Sequence, residues 1–153
     1  DSEADHPLFQ LFNEIGIIDQ LVTARFSRVL APDLNPSEFG VLNHFVRVGG
    51  VKSPSRLARI FQMTKPSMTA ILGKLERKGF VEIVASEEDR RRKIVSITQA
   101  GRAARERAIK AVVPLIERLE AGQDMQRLRS ILPTLVDLRT YLDAERNALD
   151  GLD

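Results

Sequence analysis

The feature that most constrains this chain is a change of period at Gly79. Ahead of it stand two short segments with helical spacing. Ser53 precedes Pro54 to Phe61, which carries Leu57, Ala58 and Ile60. Gln62-Met63 reads as a tight turn. Thr64 precedes a second segment with Met68, Ile71, Leu72 and Leu75 at spacings of three and four. Ser53 and Thr64 are N-cap residue types. Pro54 and Pro66 stand in first turns, where a missing N–H costs nothing. The pair is a helix-turn-helix pattern. Beyond Gly79 the period becomes two: Phe80, Ile83 and Ala85 alternate with polar or part-exposed positions. Ser86 to Arg92 is highly charged, and Ile94-Val95-Ser96-Ile97 is short and β-branched, which predicts a hairpin with a basic tip.

Helical spacing extends on both sides. Apolar residues from Leu8 to Leu30 predict a helix of about six turns. Asn35, with Glu38 three residues on and Pro36 between, predicts a capping box for a helix ending near Val48 at Gly49-Gly50. Thr98 caps a helix from Gln99 to about Ala121, with an interruption expected at Pro114. A last helix, Asp124 to about Ala148, should be bent at Pro133 or lose a hydrogen bond there. The fold class is mainly α with a small β-hairpin wing: a winged helix-turn-helix with flanking dimerisation helices. The expected divisions are an N-terminal dimerisation helix (1–34), the winged DNA-binding lobe (35–100) and C-terminal dimerisation helices (101–153).

The net charge of +2 hides a strong asymmetry. Residues 52–107 hold 14 basic and 6 acidic residues, a net +8, while 1–51 and 108–153 are net acidic. A basic central region points to a polyanionic partner. With no cysteine in the chain, disulfides, thiolate catalysis and thiol redox sensing are excluded. Two histidines, His6 and His44, cannot make a three-histidine metal site within one chain, and His6 is expected in a frayed start. There is no nucleophile–base motif and no glycine-rich phosphate loop, so neither enzymatic activity nor a cofactor is expected. No apolar run approaches the roughly 18 residues of a membrane span. A cytoplasmic protein without membrane association is expected.

A helix about 10–12 Å across fits the major groove of B-DNA. The recognition helix (64–78) offers Lys65, Ser67, Met68 and Thr69 to base edges, although Met68 also suits the core. In the basic wing (86–93), Arg91 suits the minor groove, and Asp89 is expected to hold it as a bidentate partner. Arg90, Arg92, Lys52, Ser53, Lys74 and Arg77 are the phosphate candidates.

The run Asp89-x-Arg91-x3-Val95-x-Ile97-Thr98-x2-Gly101 resembles the wing signature of MarR-family transcriptional regulators. Leu57-Ala58 and Leu72-x2-Leu75-Glu76-x2-Gly79-Phe80-Val81 agree with that family in order and spacing. Ile83 stands where many members carry a basic residue. The resemblance implies a homodimer that reads an inverted repeat in double-stranded DNA, with half-site centres about 10 bp apart. The long apolar helices support self-association independently. The resemblance also implies a repressor released by a small aromatic or anionic ligand. The residues expected to line that site are Phe12, Ile15, Ile18, Leu42, Asn43, His44 and Val46. The alternative is a winged-helix interaction or dimerisation module without specific DNA binding.

Overall fold

A computed structural model describes residues 6–151. In chain order it contains α1 (Pro7–Leu30), α2 (Pro36–Val48), α3 (Pro54–Ile60), α4 (Lys65–Arg77), β1 (Val81–Ala85), β2 (Lys93–Ile97), α5 (Gln99–Glu120) and α6 (Met125–Asp150). This is the mainly helical, winged architecture expected. Two compact units divide at Val113 and Pro114, inside α5. Both α5 and α6 remain α-helical through their prolines, so the interruption expected at Pro114 is absent. Proline removes one N–H donor, and the ladder on either side suffices to carry the helix.

Local chemistry starts and stops the helices of the first unit. Asn35 Oδ1 accepts from the Glu38 N–H at 2.8 Å, and Glu38 reaches back to the Asn35 N–H, which closes the capping box of α2. Ser53 caps α3 and Thr64 caps α4, each accepting from the N–H three residues on. His6 is the N-cap of α1, its Nδ1 accepting from the Leu8 N–H. Gly79, at φ +75°, makes the left-handed step that turns the chain from α4 into the hairpin.

The core of this unit is built on α2 and α4. Val41, Leu42 and Phe45 meet Leu57, Met68, Leu72 and Leu75, with Val81 and Val95 closing the cluster from the hairpin. Burying side chains of this size is worth about 1.5–3 kcal/mol each. The stripe Met68, Leu72 and Leu75 therefore decides which face of α4 points outward. β1 and β2 pair antiparallel from Val81↔Ile97 to Ala85↔Lys93. Lys52 adds a bridge to Val95, with N–H···O bonds in both directions (3.1 and 2.8 Å), which pins the hairpin to the α2–α3 link.

Gly101 seats the start of α5 against that hairpin. An added β-carbon there would lie 2.0 Å from the Phe80 carbonyl oxygen. Beside it the Thr98 hydroxyl donates to the Gly79 carbonyl at 2.6 Å and accepts from the Gly101 N–H at 3.0 Å. By contrast, α1 buries only Leu30, and its residues Leu8, Phe9, Leu11, Phe12, Ile15, Ile17, Ile18 and Leu21 are 36–59% exposed.

Candidate nucleic-acid interface

The outward face of α4 does not stand alone. Lys65, Thr69, Gly73 and Glu76 form one side of an open groove of about 940 Å³. The facing walls come from α3 (Ser53 to Arg56, and Arg59) and from the wing (Ile83 to Ala85, and Arg90 to Lys93). Seven cations line it, Arg56, Arg59, Lys65, Arg90, Arg91, Arg92 and Lys93, against the single carboxylate of Glu76. Such a field favours a polyanion, and a groove beside a protruding helix suits the sugar-phosphate strand of a duplex.

Several sequence expectations meet there. Lys65, Thr69, Ser53, Arg90, Arg91 and Arg92 all line the groove. Ser67 is exposed at the first turn of α4, where its Oγ accepts the Thr64 hydroxyl at 2.8 Å. Lys74 and Arg77 are exposed on α4 outside the groove lining, and Arg77 Nη1 lies back towards Gly73. Met68 is corrected: it has no exposed surface and belongs to the core, because it stands on the buried stripe with Leu72 and Leu75. Lys52 does not reach the groove either. Its Nζ donates to the Gly49 carbonyl at 3.2 Å, while its backbone holds the hairpin.

The wing tip differs in one more respect. Asp89 does not grip the Arg91 guanidinium. Its Oδ1 accepts from the Arg91 backbone N–H at 3.0 Å, and its Oδ2 stands 3.7 Å from Arg92 Nε. The Arg92 N–H also donates to the Asp89 carbonyl at 2.9 Å. A short carboxylate in a turn finds the amide two residues on before it finds a long side chain. Asp89 therefore shapes the loop. Among the described residues no carboxylate lies within ion-pair distance of the Arg91 guanidinium, which is exposed on the groove wall.

Comparison with known proteins places this geometry. Residues 33–92, from the approach to α2 through the wing tip, match the model of the MarR family. The winged helix-turn-helix of this chain is similar to that of the MarR family. The transcriptional activatory protein BadR of Rhodopseudomonas palustris is 34% identical over 76 residues, which is 48% of this chain and 43% of that protein. The chain thus spans less than half the length of that relative. The transcriptional regulator BldR from Sulfolobus solfataricus superposes with a TM-score of 0.72 at 26% identity, covering 90% of this chain and 99% of that one. A mutant MarR from E. coli complexed with operator DNA superposes with a TM-score of 0.71 at 21% identity, with the same coverage of both chains. The fold is shared with solved transcriptional regulators.

Within the winged lobe, sequence reasoning missed Arg56 and Arg59. Their spacing of three, around the buried pair Leu57 and Ala58, puts both on the outer face of α3. That signal was in the sequence, but α3 reads most readily as scaffold. Lys93, the first residue of β2, also lines the groove.

The seven residues expected around an effector differ in burial. Leu42 is wholly buried in the core, and Phe12, Ile15 and Ile18 are exposed on α1. Asn43 Oδ1 accepts from Arg105 Nε and Nη2 at 3.2 and 3.0 Å, which ties α2 to α5. Val46 and His44 are part-buried. The His44 ring meets Phe61 and Phe45 edge-on, at centroid distances of 5.7 and 6.3 Å, and its Nε2 is buried without a hydrogen-bond partner. Burial, and then the charges of Lys52 and Arg47, hold its pKa below the ordinary imidazole value. Among the described residues no group of His, Cys, Asp or Glu side chains could hold a metal ion, and no helix is long and apolar enough to cross a membrane.

Proposed function

We propose that this chain is a homodimeric, sequence-specific DNA-binding regulator that represses by occupying an inverted-repeat operator. The observation that carries the reading is the groove between α3, α4 and the wing, where seven cations oppose one carboxylate beside exposed Lys65 and Thr69. Lys65, Ser67 and Thr69 approach base edges in the major groove. Arg91 enters the minor groove, where guanidinium is favoured by the concentrated negative potential of A·T-rich tracts. Arg90, Arg92, Ser53, Arg56 and Arg59 contact phosphate, with Lys74 and Arg77 on the flank of the helix. The apolar residues left bare on α1 supply the surface for a second copy. Two-fold symmetry then sets the recognition helices one DNA turn apart.

A small aromatic or anionic ligand would release DNA only if it bound one spacing of the two recognition helices better than the other. Asn43, His44 and Val46, half-buried on α2, are the side chains of this chain best placed to sense it.

The test is selection from a pool of random duplexes at two salt concentrations, followed by sequencing. Recovery of an inverted repeat with half-sites about 10 bp apart, bound with salt-sensitive affinity, is the expected outcome. Weak binding without enrichment that vanishes at moderate salt would overturn it in favour of an interaction module.

A further inference from the structure

Lys78 follows the last residue of α4 and turns back onto the start of α2. As the C-cap of α4 it sends its Nζ to Glu38 Oε2 at 2.6 Å and to the Asp33 carbonyl at 2.7 Å, 40 and 45 positions earlier in the chain. The Glu38 side chain is 4% exposed, and its other oxygen faces the Asn35 N–H at 3.4 Å. One buried carboxylate thus belongs both to the capping box that opens α2 and to the cation that closes α4.

We infer that Glu38 and Lys78 are positioning residues that set the aim of the recognition helix, and through it operator discrimination, without touching DNA. This rests on the DNA-reading function proposed above. The stripe Met68, Leu72 and Leu75 holds α4 by apolar contact, which is strong but non-directional and leaves the helix free to tilt or slide slightly. The charge-assisted bonds of Lys78 are directional. A 13-residue helix is about 20 Å long. A tilt of about 5° about the buried stripe near its middle, which freeing the C-terminal end allows, therefore moves Lys65 by about 0.9 Å, whereas base reading tolerates about 0.5 Å. Phosphate contacts, made by long side chains to a diffuse charge, tolerate such a shift. Loosening the tie thus costs specific reading and spares non-specific binding.

The experiment compares wild type, Lys78→Met, Lys78→Arg and Glu38→Gln on two duplexes, one selected by the wild-type protein from a random pool and one scrambled from it. Affinity is measured across a salt series, with the melting temperature alongside. Lys78→Met should weaken binding to the selected duplex about tenfold and leave the scrambled duplex and the salt slope unchanged. Lys78→Arg should restore most of the loss. Glu38→Gln, which keeps an acceptor but removes the charge, should fall between, and it carries the test should Lys78→Met not fold. An equal loss on both duplexes with a shallower salt slope would make Lys78 a phosphate contact and overturn the inference. A lower melting temperature with an unchanged ratio of affinities would reduce the pair to a structural tie and overturn it equally. Failure of the wild-type protein to select any sequence would instead sink the DNA-reading function, and it shows before any variant is made.

Discussion

Replacing Gly101 by alanine puts a β-carbon 2.0 Å from the Phe80 carbonyl oxygen, 2.9 Å from the Phe80 carbonyl carbon and 2.9 Å from Ile97 Cγ1. Real β-carbons essentially never come within 3.0 Å of such atoms, so α5 and the Phe80 peptide must separate by about 1 Å. The obstacle is backbone and cannot rotate away. That carbonyl also accepts the Thr98 N–H at 3.1 Å, and the Thr98 hydroxyl bridges Gly79 and Gly101. Overpacking costs about 1–3 kcal/mol where side chains can give. Here the upper end applies, and one or two weakened hydrogen bonds add about 1 kcal/mol each. The expected loss is about 3–5 kcal/mol, or roughly 6–20 °C of melting temperature for a chain of this size. Gly73→Ala is the control. Its β-carbon would meet only the end of the Arg77 side chain at 3.4 Å, so the alanine should be neutral or stabilise α4 by up to about 1 kcal/mol. Thermal unfolding followed by far-ultraviolet circular dichroism measures both variants. A loss below about 1 kcal/mol for Gly101→Ala would refute the steric argument.

Arg91→Ala should weaken binding to a selected duplex by about 1–3 kcal/mol and flatten the salt slope, and unchanged affinity would remove Arg91 from the interface. Arg56→Ala and Arg59→Ala should each weaken selected and scrambled duplexes alike and lower the salt slope by about 1, as expected of phosphate contacts; a loss confined to the selected duplex would contradict that role. Because the folded pKa of His44 lies below its unfolded value, the unfolded chain binds the proton more readily. Its contribution is therefore intact above about pH 6.5 and lost as the pH falls through the folded pKa. His44→Leu should flatten melting temperature against pH in that acidic window, and a curve parallel to wild type would exclude His44 as its source. Ile18→Glu, at an exposed position of α1, should leave the monomer folded and halve the mass seen by sedimentation; an unchanged mass would place the self-association surface elsewhere.

What could be read from the sequence was whatever is decided within a few residues. Ser53, Thr64 and the Asn35–Glu38 box cap their helices through groups three positions apart, and the hairpin follows the alternation after Gly79. What escaped depends on distance along the chain or on competition between partners. No local pattern announces that Lys78 meets Glu38 forty residues earlier, or that Gly101 packs on the Phe80 carbonyl. Asp89 and Arg91 do interact, but the nearby amide takes the carboxylate that charge complementarity would have given to the guanidinium. Leu42 faced two uses that helical spacing cannot separate, a cavity wall and a core, and the core took it.

The bare side of α1 has a consequence for how much of this protein a cell must make. Eight large apolar side chains there keep 36–59% of their surface exposed in a single chain. If a second copy covers them, as proposed above, it stabilises the native state by mass action, and durability then rises with abundance and falls on dilution. A freshly made or scarce molecule is then the vulnerable one, open to proteolysis and aggregation until a partner arrives. Shutting off synthesis would thin the pool faster than growth alone dilutes it, giving a regulator of this build a short memory of its own expression.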